Sequence, residues 1–471
     1  MSKYQAYPEY KDSGVEWLGD IPSHWEAKPL KFICTYNDEV IADSTRQDVE
    51  LEYVDIGSVS VLSGISHVET ITFGEAPSRA RRIVRDGDVI VSTVRTYLEA
   101  IASINNPPEN MIVSTGFAVI RPNKALYKGY AAYCLRASGF IKEVVARSVG
   151  VSYPAINALE LVNIKIPNIN YQEQTQIASF LDHETAKIDI LIQKQQQLIK
   201  LLKEKRQAVI SHTVTKGLNL DVPIKDSGVE WLGYVPSHWK LTQVKYGYNI
   251  TLGKMLQKSP KSSVDILKPY LKAQNIQPNG INLSKVDQMW FSPEECKSLL
   301  LLPGDVLVSE GGDVGRSVLW NNEIAECYIQ NAINRVRTIN DNSTKFFNYW
   351  ITYLKASNYI NILCNKATIA HYTAEKLKAS LLLLPMVNEQ EQIADFLDHE
   401  TYKIEILIKK QKQVIKLLQE RRTSLISAAV TGKIDVRHWQ APVTHQASDR
   451  SEYQSHLCRR DFPRASQAGI R

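Results

Sequence analysis

Long apolar runs are scarce in this 471-residue chain: stretches such as the leucines at 299–302 and 381–384 fall far short of the roughly 18 apolar residues that a membrane-spanning helix requires. No membrane span is expected. The opening MSKYQAYPEYKDSG is polar and lacks the apolar core and small-residue cleavage site of a secretory signal, so a cytoplasmic chain is expected. The six cysteines, Cys34, Cys134, Cys296, Cys327, Cys364 and Cys458, never fall as C-x-x-C, which excludes zinc-ribbon and thioredoxin-type spacing. Nucleotide-binding patterns are missing as well. There is no G-x-x-x-x-G-K-[ST], and Thr431-Gly432-Lys433 is only a fragment of one. Gly311, Gly312 and Gly315 do not keep G-x-G-x-x-G spacing and read as a turn. Asn106-Pro107-Pro108 is followed by Glu109 where a methyltransferase needs an aromatic ring to stack on a flipped base. Asp-His-Glu at 182–184 and again at 398–400 lacks the second histidine of H-E-x-x-H and reads as a helix cap, with Asp182 or Asp398 accepting backbone N–H bonds. Catalysis by this chain alone is therefore not expected, and neither is a bound metal.

What the chain does have is a duplication, which is best sought before any single element is assigned. KDSGVEWLG at 11–19 recurs at 225–233, and the I-P-S-H-W of 21–25 returns as V-P-S-H-W at 235–239, an offset of 214. EQTQIASFLDHETAKIDILI from Glu173 matches EQEQIADFLDHETYKIEILI from Glu389, an offset of 216. Between these blocks lie segments of similar length and divergent sequence. GDVIVS at 87–92 still faces GDVLVS at 304–309, Tyr53 faces Tyr270 and Phe73 faces Trp290, all at 217. Short β-rich runs punctuated by Gly, Pro and Asn, with a helical stretch near each end (around 128–147 and 345–364), give α+β units whose twisted sheet could close into a barrel.

The second conserved block in each half is helical. From about Asp182 to Val214 there is no Gly or Pro, and apolar residues recur at three- and four-residue steps. The seam is read as Ile188, Leu191, Gln195, Leu198, Leu202 and Val209 in one copy and Ile404, Leu407, Gln411, Val414, Leu418 and Leu425 in the other. Gly217 and Gly432 stand as stop signals beyond the two ends. A stripe of this width needs a partner helix, and the economical partner is the other copy, paired antiparallel. The fold class expected is thus two tandem α/β units separated by a long antiparallel two-helix coiled coil, an α+β arrangement with pseudo-two-fold internal duplication. The residues from 437 to 471 show no apolar periodicity and read as a disordered tail.

The order of these landmarks, DSGVEWLG with IP-x-HW, a variable segment, then EQ-x-x-IA-x-FLDHET helices ending in VTKG and VTGK, resembles the specificity subunits of type I restriction-modification systems over about residues 8 to 436. The resemblance implies a lead-in at 1–25, a target-recognition domain at 26–168, a helical spacer at 169–217, a repeated lead-in at 218–239, a second target-recognition domain at 240–386 and a distal spacer at 387–436. It also implies that each recognition domain reads one half of a split site in double-stranded DNA. Partners would be two methyltransferase subunits and, through the complex, restriction/translocase subunits. S-adenosylmethionine, ATP and magnesium would bind to those partners, leaving this chain without a cofactor.

DNA contacts then fall to the divergent segments. In the first, Arg79, Arg81, Arg82 and Arg85 cluster before the GDVIVS strand, and Arg95 with Tyr97 follow it. In the second, Lys254, Lys258, Lys272, Gln274, Asn275, Arg316, Asn331, Asn334 and Arg335 combine phosphate-binding cations with amides able to read adenine edges. Trp17, Trp25, Trp231 and Trp239 sit in the shared blocks and read as packing anchors. With a net charge of only +6, clustering has to supply what bulk charge does not. Two rival readings remain at this level: a coiled-coil scaffold, and a DNA-modifying enzyme in its own right.

Overall fold

The computed structural model describes residues 4–61, 63–278, 280–364 and 371–441. The chain divides into two compact units that do not follow its linear order. One comprises residues 1–193 with 415–471, the other residues 194–414. Each unit therefore holds one divergent segment, the near part of one long helix and the far part of the other.

In the first unit an antiparallel sheet runs in the order Ile101–Ser103, Val89–Ser92, Phe117–Pro122, Cys34–Tyr36. A second runs Glu69–Thr72, Glu50–Val54, Met111–Ser114, Ala80–Ile83, with its central pair parallel. The expected barrel is thus two separate sheets. Val89–Ser92 is buried on both faces, which explains why it reads as an uninterrupted apolar run and not as an alternating one. Its even side faces Val54, Val113 and Phe117, and its odd side faces the helices Lys128–Cys134 and Ser138–Ala146.

The second unit repeats the plan. Tyr248–Leu252, Ile333–Thr338, Val306–Ser309 and Ser317–Leu319 form one sheet, and Asp287–Phe291, Ile266–Leu271 and Tyr328–Ile329 form the other. Helices Thr344–Ala356 and Tyr359–Leu363 cover the first of these. In both units KDSG-VEWLG folds as a hairpin, Tyr10–Asp12 on Asp20–Pro22 and Ile224–Asp226 on Tyr234–Pro236. Trp25 and Trp239 are fully buried behind these hairpins, while Trp17 packs on Phe140 and Trp231 on Tyr353 and Tyr359. All four tryptophans are packing anchors.

The long helices span Tyr171–Lys216 and Val387–Val430. Both begin about ten residues before the Asp-His-Glu triplets, so the capping expectation is corrected. Asn170 caps the first, its side-chain Oδ1 accepting from the Glu173 N–H at 2.8 Å. Asp182 and Asp398, in mid-helix, each accept a 2.7 Å hydrogen bond from a tyrosine hydroxyl, Tyr133 and Tyr349. Gly217 and Gly432 do stop the helices in the left-handed region, with φ of +78° and +71°.

Within each unit the two long helices run antiparallel. In the first unit Asp189 pairs with Arg422 at 2.9 Å, and Gln176 donates to the Trp439 carbonyl. In the second, Arg206 pairs with Glu405 at 3.3 Å. The expected seam is right at eight of its twelve positions. Ile188 and Ile404 are buried, and Gln195, Leu202, Val209, Gln411, Leu418 and Leu425 are partly buried. Leu191, Leu198, Leu407 and Val414 are exposed, and the inward positions belong to their neighbours Ile192, Ile199, Ile408 and Ile415. The tail expectation is also corrected at its start: Trp439 stacks edge-on against Phe180 at 5.4 Å. The remainder, 442–471, lies outside the described residues.

Candidate nucleic-acid interface

Each unit is locked inside by the same ion pair. Arg121 grips Asp88 with two parallel bonds of 2.9 and 2.8 Å, and Arg337 grips Asp305 with two of 2.7 Å. Both aspartates are buried and both sit at the head of the GDV(I/L)VS strand. Such bidentate pairs are strong and geometrically specific. They tie the start of that strand to the end of its neighbour, Phe117–Pro122 in one unit and Ile333–Thr338 in the other.

In the first unit the arginines ahead of the strand are largely engaged. Arg79 donates to Tyr53 Oη and Asp55 at 3.1 Å each, which holds its own proton more tightly, the Tyr53 bond first. Arg85 binds Glu39 in a fork of 2.8 and 2.6 Å. That fork, with Arg121 beside it, holds the Glu39 carboxyl at about 2. Arg81 lies over the Phe73 ring at 5.0 Å and donates to the Ala80 carbonyl. Arg82 is half-buried, and burial lowers its affinity for its proton. Beyond the strand the picture changes. Arg95 and Tyr97 are exposed, and the Arg95 guanidinium sits over the Tyr153 ring at 5.0 Å while making no hydrogen bond or ion pair with any described residue. Tyr153, Val149 and Val151 were not picked out from the sequence. The signal available was a Val-Gly-Val-Ser-Tyr-Pro loop at 149–154, whose apolar residues have no core to join.

In the second unit three candidates are corrected. Asn275 is 3% exposed, and its amide donates to the Asn282 and Lys285 carbonyls at 2.8 and 3.0 Å. Asn334 is fully buried and donates to the Tyr372 carbonyl at 3.2 Å. Arg335 is buried, donating to the Ser298 and Leu300 carbonyls at 2.8 and 3.1 Å. These groups close turns and loops, and none presents a donor to solvent for a base edge. Lys254 pairs with Glu295, Lys272 with Asp287, and Arg316 with Asp313. Lys258 and Gln274 are exposed and Asn331 half-exposed, and their side chains make no hydrogen bond or ion pair with a described residue. The surface candidates are thus Arg95 and Tyr97 on one unit and Lys258, Gln274 and Asn331 on the other, with the paired arginines and lysines around them as a weaker cationic field.

A protein-family model described as the type I restriction modification DNA specificity domain matches residues 22–200 and again 236–417. The chain therefore belongs to the family of type I restriction-modification specificity subunits, in which the chain is a DNA-recognition component and not the catalyst. Among its relatives, a protein assigned as the MjaX type I restriction enzyme specificity subunit of Methanocaldococcus jannaschii is 24% identical over 452 residues, covering 92% of this chain and 99% of that one. The EcoKI specificity subunit of Escherichia coli is 22% identical over 333 residues, 69% of each chain. A solved chain from work on complex assembly and conformational transition of the type I R-M system shares the fold, with a TM-score of 0.69, 22% identity, and coverage of 88% of this chain and 99% of that one.

Proposed function

We propose that each unit reads one half of a split DNA site, residues 26–168 one half and 240–386 the other, and that the paired long helices set the unread gap between them. The observation that carries this reading is a repeated interior beneath a changed exterior. The Asp88–Arg121 and Asp305–Arg337 locks repeat. Counting from the shared strand, exposed Arg95 stands where the second copy has Gly312. A duplication that keeps its packing while replacing its exposed polar groups is suited to reading two different sequences on one scaffold. The antiparallel ion pairs Asp189–Arg422 and Arg206–Glu405 support the coiled-coil part of the reading.

The chain would work in the cytoplasm with two methyltransferase subunits, and with restriction/translocase subunits added to the complex. S-adenosylmethionine, ATP and magnesium would bind those partners. Double-stranded DNA would be methylated at adenine within the split site and cut in an ATP-dependent way elsewhere in the complex. The test is a methylome of the host with and without this gene. A two-part adenine motif should vanish on deletion, and an unchanged methylome would defeat the proposal.

A further inference from the structure

We propose that the loops 93–99 and 148–155 form one base-reading element of the first unit, in which Arg95 reads guanine in the major groove, Tyr153 positions it, and Val149 and Val151 meet the methyl group of an adjacent thymine. The proposal rests on the reading of this unit as a DNA-recognition module. It begins from donor availability. Arg79 and Arg85 have donors committed to protein acceptors, and Arg81 is held by a ring and a carbonyl. Arg95 is held only from its face, by Tyr153 at 5.0 Å. A ring face attracts the cation without taking any of its five in-plane N–H donors. The fork that pairs with guanine O6 and N7 is therefore both aimed and open.

The backbone fixes this aim. Arg95 and Glu99 flank a single turn, Thr96–Leu98, and both lie in the left-handed region with φ of +50° and +51°. That region is costly for residues other than glycine, and such residues persist where surrounding contacts enforce them. Here the second loop supplies the contacts. Thr96 Oγ1 bonds Ser148 Oγ at 2.7 Å, Ile156 N–H donates to the Thr93 carbonyl at 2.9 Å, and Val149 and Ala155 exchange backbone bonds of 2.8 and 3.0 Å. These bonds tie the two loops together.

Their outer face is apolar. Tyr97, Leu98, Val149, Val151 and Tyr153 are all exposed, Val151 completely. Grouped apolar exposure of this kind marks a binding surface. Beside a free guanidinium on a DNA-reading unit, the fitting occupant is the thymine methyl, the apolar group on the major-groove edges.

The test uses the assembled complex with its methyltransferase subunits, by methylome and by binding to duplexes carrying the mapped site. Arg95→Ala should relax one guanine position in one half-site, lowering discrimination there on the order of 10- to 100-fold, with the other half-site unchanged. Tyr153→Phe should keep wild-type specificity and Tyr153→Ala should relax the same position as Arg95→Ala. Replacing the adjacent thymine by deoxyuridine should weaken the wild-type complex several-fold and leave a Val149→Ser/Val151→Ser variant unaffected. If Arg95→Ala weakens all sequences alike, the residue binds phosphate and the proposal falls. Unchanged specificity in both Arg95→Ala and Tyr153→Ala, with bipartite methylation intact, also overturns the loop assignment while sparing the unit's role. Absence of any bipartite methylation in the wild type overturns both.

Discussion

If the paired helices set the gap between half-sites, shortening both by one heptad should shorten the gap by a calculable amount. The ion pairs give the register. Asp189 faces Arg422 and Arg206 faces Glu405, so in each pair the two residue numbers add to 611. Residues 197–203 of the first helix therefore lie opposite 408–414 of the second. Removing both stretches together keeps the partners on either side in register and keeps the three- and four-step seam of Ile188, Ile192, Gln195 and, beyond the cut, Arg206 and Val209. Each helix loses seven residues at about 1.5 Å each, or about 10 Å, comparable with about three base pairs at roughly 3.4 Å. Methylation mapping should then return the same bases in both half-sites with a gap about three base pairs shorter. Three base pairs also turn the duplex by roughly 100° at about 10.5 per turn, so affinity should fall even where the shortened site is found. Deleting only one stretch should misregister Arg206 and Glu405 and lose methylation. An unchanged gap in the double deletion refutes the role of these helices as the ruler.

Exchanging residues 240–386 for the matching segment of a relative should change one half-site and leave the other, as methylome mapping would show; coupled changes in both would contradict two independent readers. Asp305→Asn should cost about 2–3 kcal/mol in urea unfolding, less than the roughly 3–5 of a fully buried broken pair, because Arg337 is 36% exposed and keeps the Leu300 carbonyl. Glu310 sits half-buried with its carboxyl affinity for protons raised by burial, so the folded state binds a proton more tightly than the unfolded chain, whose carboxyl titrates near about 4.3. Stability from this group is then full below that pH and lost as pH rises through the folded value. Glu310→Gln should raise the thermal midpoint at pH 7 and show little difference at pH 4, and the opposite trend would reject the assignment.

The elements that repeat were legible in the sequence, and so were their ends where backbone conformation dictates residue type, as at Gly217 and Gly432. Two kinds of detail were not. The seam was misread by one residue at Leu191, Leu198, Leu407 and Val414 because each has an isoleucine next to it, and an apolar pair at i and i+1 fits a 3.5-residue repeat either way. Which of the two turns inward is decided by the partner helix. The helix starts were placed late because Asp182 looks like a cap, although Asn170 three residues before Glu173 carries the same signal. For the candidate site, residue type showed that Asn275, Asn334 and Arg335 could read bases but not that they are buried. An amide that closes a turn and an amide that meets adenine have the same composition, and only the count of internal acceptors separates them.

Identical sequence in the two copies does not even ensure an identical environment. Gln176, Phe180, His183 and Glu184 recur as Gln392, Phe396, His399 and Glu400. In the first unit Tyr4 stands edge-on to Phe180 at 5.2 Å and donates to Glu184 at 2.9 Å, while Trp439 packs against both Phe180 and His183. Phe180 is accordingly fully buried, whereas Phe396 is 40% exposed. The covering residues come from outside the duplicated blocks, one ahead of the first and one after the last, so no comparison of repeat with repeat could have revealed them. Burying that ring removes roughly the 1.5–3 kcal/mol of apolar exposure that a large side chain represents. The two copies of the conserved helix thus differ in stability and surface although their sequences are nearly the same, and the difference is set by segments that the repeat itself does not contain.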